Sequence, residues 1–125
     1  MASKDRATIL IADDNYGLRS LLSAILAREG YRVVEAVDGV RALRLLAEED
    51  VDAVLMDVHF GAEDGIALGR ELRRVRPNLP IALMSGDGAV AEAKTRGARL
   101  TNVFLTKPFT LESAAATVER LLNRR

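Results

Sequence analysis

Residues 8–14 read TILIADD, a short apolar run that ends in two adjacent carboxylates. A run this short and this continuously apolar is typical of a strand buried on both faces of a sheet. The stretch that follows places apolar residues at a spacing typical of one face of a helix. These residues are Leu18, Leu21, Leu22, Ile25 and Leu26. The segment therefore predicts a buried β-strand followed by an amphipathic α-helix.

The same unit recurs along the chain. Further apolar runs occur at residues 33–34, 53–56, 81–84 and 103–105, and each precedes a segment with apolar or alanine residues in a helical pattern. Strands that alternate with helices are typical of a parallel sheet covered on both faces. We expect a doubly wound α/β fold of five strand–helix units, (βα)5, in which residues 1–125 form a single domain.

Composition narrows the function classes. Basic and acidic residues both number 18, so the formal net charge is zero and nothing indicates a nucleic-acid surface or a membrane anchor. Cysteine is absent, which excludes a disulfide framework, a thiol nucleophile and a cysteine-based metal site. The first residues are too polar for a signal peptide, and no apolar run approaches the ~18 residues of a membrane span. We expect a cytoplasmic protein with no direct nucleic-acid or membrane partner.

Polar side chains stand where four of the five predicted strands end. In open α/β sheets, ligands bind outside the carboxyl ends of the strands. These ends carry Asp13 and Asp14, Asp57, Ser85, and Lys107. The sequence therefore predicts one rim that gathers three carboxylates, a hydroxyl and an ammonium.

The chemistry of this rim favours a metal ion and a phosphoryl group. Clustered carboxylates repel one another unless a cation lies beside them, and Mg²⁺ prefers oxygen ligands. The chain has fifteen arginines and only three lysines, so a lysine at position 107 is a specific feature. A compact ammonium suits a phosphoryl oxygen better than a planar guanidinium does. The set suits transfer of a phosphoryl group to a carboxylate, with Ser85 as a hydrogen-bond donor.

In this order and spacing, these residues make the chain similar to the receiver domains of two-component response regulators. The resemblance runs from about Thr8 to Leu122 and rests on Asp13-Asp14, Asp57, Ser85 and Lys107-Pro108-Phe109. It implies a flavodoxin-like sandwich whose parallel sheet has the strand order 2-1-3-4-5.

The resemblance also implies a phosphorylation-dependent signalling switch. Asp57 would accept a phosphoryl group from a sensor histidine kinase or a histidine phosphotransfer protein, and the phosphorylated chain would act on a downstream target whose identity the sequence does not give. The group would then be lost by slow autodephosphorylation, so we do not expect a classical enzyme.

A metal site is part of what the resemblance implies. Asp14 and Asp57 would bind Mg²⁺, or Mn²⁺, directly, together with the backbone carbonyl of His59. Asp13 would act largely through water.

The resemblance assigns further roles around the phosphoryl group. Lys107 and Ser85 would hold phosphoryl oxygens. Phe104 would change rotamer when the Ser85 hydroxyl moves, so that the two residues form a switch. His59 and Asp87 occupy positions that tune the lifetime of the phosphoryl group.

Two segments depart from the family pattern. Phe60-Gly61 stands where the family commonly has Met-Pro, and Glu63 stands where it has an apolar residue. Without the proline we expect this loop to be mobile in the metal-free protein. The fourth helical segment, residues 87–96, is short and is punctuated by glycine, so we expect a truncated helix.

Other interpretations of the same residues stay open. Asp13-Asp14 could be only a helix N-cap, because aspartate is favoured there. The chain could be a degenerate receiver that serves as a non-phosphorylated interaction module, or a phosphatase with Asp57 as its nucleophile. The phosphatase is disfavoured because His59 stands where such enzymes often place a general acid, and the chain is too short for a substrate-covering cap.

Two surfaces and one peptide bond complete the predictions. A docking surface for a partner helix, with ordinary packing as the alternative, is predicted from Tyr16, Leu18, Leu22, Pro108 and Phe109. A solvated helix face is predicted from Arg70, Arg73, Arg74 and Arg76. The Lys107–Pro108 bond is a candidate for the cis form.

Overall fold

The computed structural model of the chain describes residues 7–86 and 90–123. The strands are β1 (Thr8–Ala12), β2 (Arg32–Ala36), β3 (Ala53–Asp57), β4 (His59–Phe60), β5 (Glu63–Asp64), β6 (Ile81–Gly86) and β7 (Phe104–Lys107). The helices are α1 (Tyr16–Arg28), α2 (Gly39–Glu48), α3 (Gly65–Val75), α4 (Val90–Gly97) and α5 (Leu111–Asn123).

Five of these strands form one parallel sheet in the order β2-β1-β3-β6-β7. Counted along the chain, this is the order 2-1-3-4-5, so the doubly wound (βα)5 prediction is confirmed. The order reverses between β1 and β3, which places the carboxyl ends of these two strands side by side at the switch point of the sheet.

The sheet is buried on both faces, which explains why its strands read as continuous apolar runs. Successive residues of a strand point to opposite faces. Val54 and Met56 of β3 belong to the core beneath α2, α3 and α4. Leu55, between them, belongs to the core beneath α1 and α5. Each face therefore depends on alternate residues of the same strands.

Side-chain caps fix where the helices begin. Asn15 caps α1 by accepting a hydrogen bond from the Leu18 amide at 3.0 Å. Because Asn15 makes the cap, the interpretation of Asp13-Asp14 as only an N-cap pair is wrong. At the other end of the chain, the Thr110 hydroxyl oxygen accepts from the Ser113 amide at 2.9 Å, just before α5 begins.

Helix α4 has eight residues and is the shortest of the helices in the described ranges, as its sequence predicted. The first residue of that predicted segment, Asp87, lies outside the described residues, so its predicted role in phosphoryl lifetime stays a prediction. Gly97 ends the helix where a Cβ would stand 2.6 Å from Leu83 Cδ1, so the absence of a side chain lets α4 pack closely on β6.

A two-stranded antiparallel hairpin, β4–β5, connects β3 to α3 and was not predicted. Gly61 turns the hairpin with φ of +63°, a backbone conformation that favours glycine. Gly65 follows the hairpin so closely that a Cβ there would stand 1.9 Å from the Asp57 carbonyl oxygen. Glycine at these positions lets the hairpin fold back over the end of β3.

The prediction of a solvated arginine face is wrong for Arg76 and Arg73. The Arg76 guanidinium donates to carbonyl oxygens at the end of α2 and just after it. The last carbonyl groups of a helix have no hydrogen-bond donor within the helix, so a donor from elsewhere is needed. These acceptors are Leu46 at 2.9 Å, Glu49 at 3.1 Å and Val51 at 2.6 Å. Arg73 donates to the Leu79 carbonyl at 2.7 Å.

The two remaining arginines of that face, Arg70 and Arg74, are exposed, as predicted. Across residues 7–86 and 90–123, no helix combines the length and apolarity that crossing a membrane would require.

Candidate functional site

The candidate site lies at the carboxyl edge of the sheet. Ala12 pairs with Met56, so the residues that follow them, Asp13 and Asp57, emerge side by side. On the other side of β3, Gly86 pairs with Lys107. The predicted convergence of strand ends at one rim is therefore observed for these three side chains.

Lys107 joins the two neighbouring acids. Its ammonium donates to Asp57 Oδ2 at 2.5 Å and to Asp13 Oδ2 at 3.1 Å. The lysine side chain is 23% exposed, so water screens these two ion pairs only in part. The Lys107–Pro108 peptide bond is cis, as the sequence suggested.

Each of the two acids also accepts a backbone N–H from two residues further along the chain. Asp13 Oδ1 accepts from the Asn15 amide at 2.8 Å, and Asp57 Oδ1 accepts from the His59 amide at 2.9 Å. This local contact is an Asx turn, which aspartate side chains commonly form. It fixes one oxygen of each carboxylate and aims the other at the lysine.

Burial and charge act against each other in this group. Asp13 is fully buried, and burial raises the pKa of its carboxyl above the ordinary value, although the Asn15 amide and the Lys107 ammonium lower it in part. Burial lowers the pKa of the Lys107 ammonium, but the hydrogen bonds and charges of Asp57 and Asp13 raise it by more. The pKa of Lys107 therefore lies above its ordinary value, and the side chain is charged at neutral pH.

Asp14 completes the acidic cluster from the exposed side of the rim. One carboxylate oxygen from each of Asp13, Asp14 and Asp57 lies within 4.8 Å of the others. Three carboxylates and one ammonium leave a formal charge of −2. Carboxylate oxygens at this spacing and a charge of this sign fit one hard divalent cation.

A further cation, missed from the sequence, supports the rim. Arg19 of α1 donates from Nη1 to the Asp13 carbonyl oxygen at 2.9 Å and from Nε to Glu35 Oε1 at 3.1 Å. Its guanidinium also lies 5.7 Å from the centre of the Tyr16 ring. The charge of Arg19 is thus paired with Glu35 on β2, while its hydrogen bond holds the loop after β1. No local sequence pattern indicates such a contact.

Ser85, His59 and Phe104 lie around this group at different depths. Ser85 is 5% exposed and follows Met84, the partner of Asp57 in the sheet. His59 has an exposed side chain, and its backbone is tied to Asp57. Phe104 is half-buried and packs against the core beneath α2, α3 and α4. The structure therefore places each of them near the rim or in the adjoining core, and their roles stay predictions.

The predicted docking surface on α1 is only partly present. Tyr16 is 74% exposed and Leu18 is half-buried, but Leu22 is fully buried in the core beneath α1 and α5, so including Leu22 was wrong. Leu22 lies about one and two-thirds turns beyond Tyr16, and the 100° turn per helical residue carries it to the inner face. Pro108 is exposed, whereas Phe109 is half-buried against the same core.

Comparison with protein families gives one match over most of the chain. The family model of the response regulator receiver domain matches residues 9–119. These residues run from β1 into α5. They include the four side chains of the acid–lysine group, which is made of Asp13, Asp14, Asp57 and Lys107.

Two curated relatives show how much of a longer protein such a chain can be. The chain is 33% identical over 118 residues to the transcriptional regulatory protein GlrR of Escherichia coli (strain K12), covering 94% of this chain and 27% of that protein. It is 33% identical over 117 residues to sporulation initiation phosphotransferase F of Bacillus subtilis (strain 168), covering 91% of this chain and 92% of that protein. The chain thus spans about a quarter of the first relative and nearly all of the second.

A solved structure agrees in fold. The crystal structure of the receiver domain of NtrX from Brucella abortus superposes with a TM-score of 0.88 at 30% sequence identity, covering 94% of this chain and 99% of that one.

Proposed function

The chain belongs to the receiver domains of response regulators, and from this premise we propose that it is a phosphorylation-dependent switch whose phosphoacceptor is Asp57. The observation that carries the proposal is the acid–lysine group: Lys107 bridges Asp57 and Asp13, and Asp14 lies within 4.8 Å of both acids. A carboxylate held between an ammonium and a cation-binding cluster is suited to receive phosphorus.

The transfer step uses the Asp57 carboxylate as nucleophile. A carboxylate oxygen attacks the phosphorus of a phosphohistidine, the P–N bond breaks, and the imidazole nitrogen leaves with the electron pair. The Lys107 ammonium lies 2.5 Å from Asp57 Oδ2 before transfer, and it pairs with the negatively charged phosphoryl oxygens after transfer. The Ser85 hydroxyl donates a hydrogen bond to the same group.

The residues present fit a bound Mg²⁺ or Mn²⁺. Asp14, Asp57 and the His59 backbone carbonyl would hold the ion, with Asp13 acting through water. When bound, the ion would supply positive charge beside the phosphoryl oxygens.

We propose partners from the family and a location from the composition. The donor is a sensor histidine kinase or a histidine phosphotransfer protein, and the phosphorylated chain acts on a downstream target. Slow autodephosphorylation, with His59 and Asp87 setting its rate, returns the chain to its resting state. We infer a cytoplasmic chain that makes no direct contact with nucleic acid or membrane.

The proposal is tested by phosphorylating the purified protein. Incubation with Mg²⁺ and acetyl phosphate, followed by intact-mass measurement, should give one phosphate adduct that is lost in Asp57→Asn. Asp50→Asn is the control, because Asp50 is an exposed aspartate in the segment that leads into β3, at the opposite end of that strand from Asp57.

The other outcomes separate the competing functions. No adduct with any donor would indicate a non-phosphorylated interaction module. Sustained multiple turnover on phosphomonoesters would indicate a phosphatase. An adduct that persists in Asp57→Asn would place the phosphoacceptor elsewhere.

A further inference from the structure

The hairpin β4–β5 contacts two acids of the site. The His59 N–H donates to Asp57 Oδ1 at 2.9 Å. The turn residue Gly61 lies over Asp14: a Cβ there would stand 3.8 Å from Asp14 Oδ2. The hairpin's strands have two residues each, and the segment contains no proline. A two-stranded hairpin is at best marginally stable by itself, so contacts outside the hairpin must hold it in place.

Glu63 supplies one such contact. Its Oε2 accepts a hydrogen bond from the Gly39 N–H at 3.1 Å. Gly39 is the first residue of α2, where backbone N–H groups have no partner within the helix and where a negative charge is favoured. The helix cap, Asp38, accepts from the Arg41 N–H instead. The two carboxylates thus satisfy different donors, and only Glu63 ties the hairpin to the helix.

Gly39 leaves the space that this contact needs. A Cβ on Gly39 would stand 2.2 Å from Glu63 Oε1 and 3.3 Å from Leu68 Cδ1. Gly39 lies within a helix, so its backbone conformation does not demand glycine. The absence of a side chain is what lets the glutamate reach the amide.

The neighbouring residue anchors the hairpin on its other side. Asp64 accepts from Arg96 of α4 at 2.5 Å, and it also caps α3 through the Ile66 N–H at 2.9 Å. Phe60, in the first hairpin strand, is buried in the core beneath α2, α3 and α4. Glu63 therefore supplies the hydrogen bond that links the hairpin to α2, on the side away from the Asp64–Arg96 pair.

We propose that Glu63 is a positioning residue of the phosphoryl-acceptor site. By tying the hairpin to the first turn of α2, it holds the His59 backbone and Gly61 against Asp57 and Asp14. The effect of Glu63 on metal binding rests on the proposed function, since His59 and the two acids are the groups that would hold the metal ion. Its structural premise, that the Glu63 carboxylate ties the hairpin to α2, is testable without phosphorylation.

The test compares Glu63→Ala with Glu63→Gln and Gly39→Ala. Glu63→Ala removes the link, Glu63→Gln keeps a hydrogen-bond acceptor, and Gly39→Ala displaces the glutamate by occupying its space. The matched control is Asp38→Ala, which uncaps the same helix without touching the hairpin. The readouts are amide hydrogen exchange of residues 59–64 in metal-free protein, the Kd of Mn²⁺, and the free energy of unfolding.

We expect Glu63→Ala and Gly39→Ala to speed exchange in the hairpin and to weaken Mn²⁺ binding about tenfold, the lower end of the effect of residues that orient metal ligands. Glu63→Gln should restore most of the affinity. Asp38→Ala should lower stability yet leave the Mn²⁺ affinity unchanged. The double variant, which carries both Glu63→Ala and Gly39→Ala, should bind Mn²⁺ no more weakly than Glu63→Ala alone, because both substitutions break the same contact.

Three results would overturn the proposal. The first is a Glu63→Ala variant whose hairpin exchange and Mn²⁺ affinity equal those of wild type. The second is a double variant in which the losses of Mn²⁺ affinity from the two substitutions multiply, and the third is a loss of affinity in Asp38→Ala as large as that in Glu63→Ala. These results differ from failure of the proposed function. A wild-type protein that takes no phosphate but loses hairpin protection in Glu63→Ala would refute the switch and keep the positioning role.

Discussion

At the scale of single residues, the presence of lysine at position 107 has a physical reason. One nitrogen atom reaches Asp57 Oδ2 at 2.5 Å and Asp13 Oδ2 at 3.1 Å within a largely covered space. A guanidinium carries the same charge but spreads it over a plane and donates in a fixed fork. Charge alone therefore does not reproduce this contact.

We predict that Lys107→Arg slows phosphate-adduct formation by about tenfold, which corresponds to about 1.4 kcal/mol of lost transition-state stabilisation. The measurement is the initial rate with acetyl phosphate and Mg²⁺, followed by intact mass. Lys94→Arg, an exposed lysine on α4, is the control. A Lys107→Arg rate equal to wild type would show that a compact ammonium is not required.

At the scale of elements, the segment from β4 to α3 shows how one aspartate can serve two functions. Asp64 caps α3 and pairs with Arg96 of α4. Burial, the largest single influence, raises the pKa of the Asp64 carboxyl, but the hydrogen bond and charge of Arg96 and the hydrogen bonds of the helix amides together lower it by more, so the pKa lies below its ordinary value. A depressed carboxyl pKa means that the ionised form stabilises the folded state.

This stabilisation is present above the ordinary aspartate pKa of about 3.9 and is lost as the pH falls through the lower folded-state pKa. Asp64→Asn keeps a capping side chain and loses the ion pair. The pair is exposed, so we predict a loss of less than about 1 kcal/mol at pH 7 in low salt. Denaturant unfolding at pH 7 and at pH 3 measures it.

The difference between wild type and Asp64→Asn should shrink at pH 3 and in high salt. Asp38→Asn, the same change at the cap of α2, controls for the cap itself. A difference that persisted unchanged at pH 3 would assign the loss to the cap and not to the ion pair.

At the scale of the whole molecule, the site exists only when the sheet is assembled. Lys107 is 94 residues from Asp13 and 50 from Asp57 in sequence, and the three residues lie at the ends of three strands. A ligand that needs this convergence binds the folded state and not the unfolded chain. Its binding must therefore stabilise the fold by mass action.

We predict that Mg²⁺ at about ten times its Kd raises the free energy of unfolding by about 1.4 kcal/mol. Asp14→Asn should abolish most of this gain, since Asp14 is the exposed carboxylate of the cluster. Asp50→Asn should keep it. The measurement is denaturant unfolding with and without Mg²⁺ at constant ionic strength, and an equal gain in Asp14→Asn would exclude Asp14 as a ligand.

The sequence by itself determined the fold and the acid–lysine group. Apolar runs such as residues 53–56 report burial on both faces of a strand, and the carboxyl ends of parallel strands share an edge. Asp13, Asp57 and Lys107 follow directly from these two facts, because each lies at the end of a strand. The short fourth helix was also predicted, because glycines punctuate its segment.

Only the tertiary structure decided which polar partners meet across distant parts of the chain. Glu63 and Gly39 are 24 residues apart, and Arg76 reaches carbonyls 25 to 30 residues away. Hydrophobic periodicity reports which face of an element is buried, but it does not say where a long polar side chain ends. The choice between docking and ordinary packing for Leu22 was left open for a related reason: a helix with apolar residues on a broad face leaves its exact inward direction to packing. The hairpin was missed because two residue pairs carry no periodic pattern, and contacts with α2, α4 and the core are what give it a defined position.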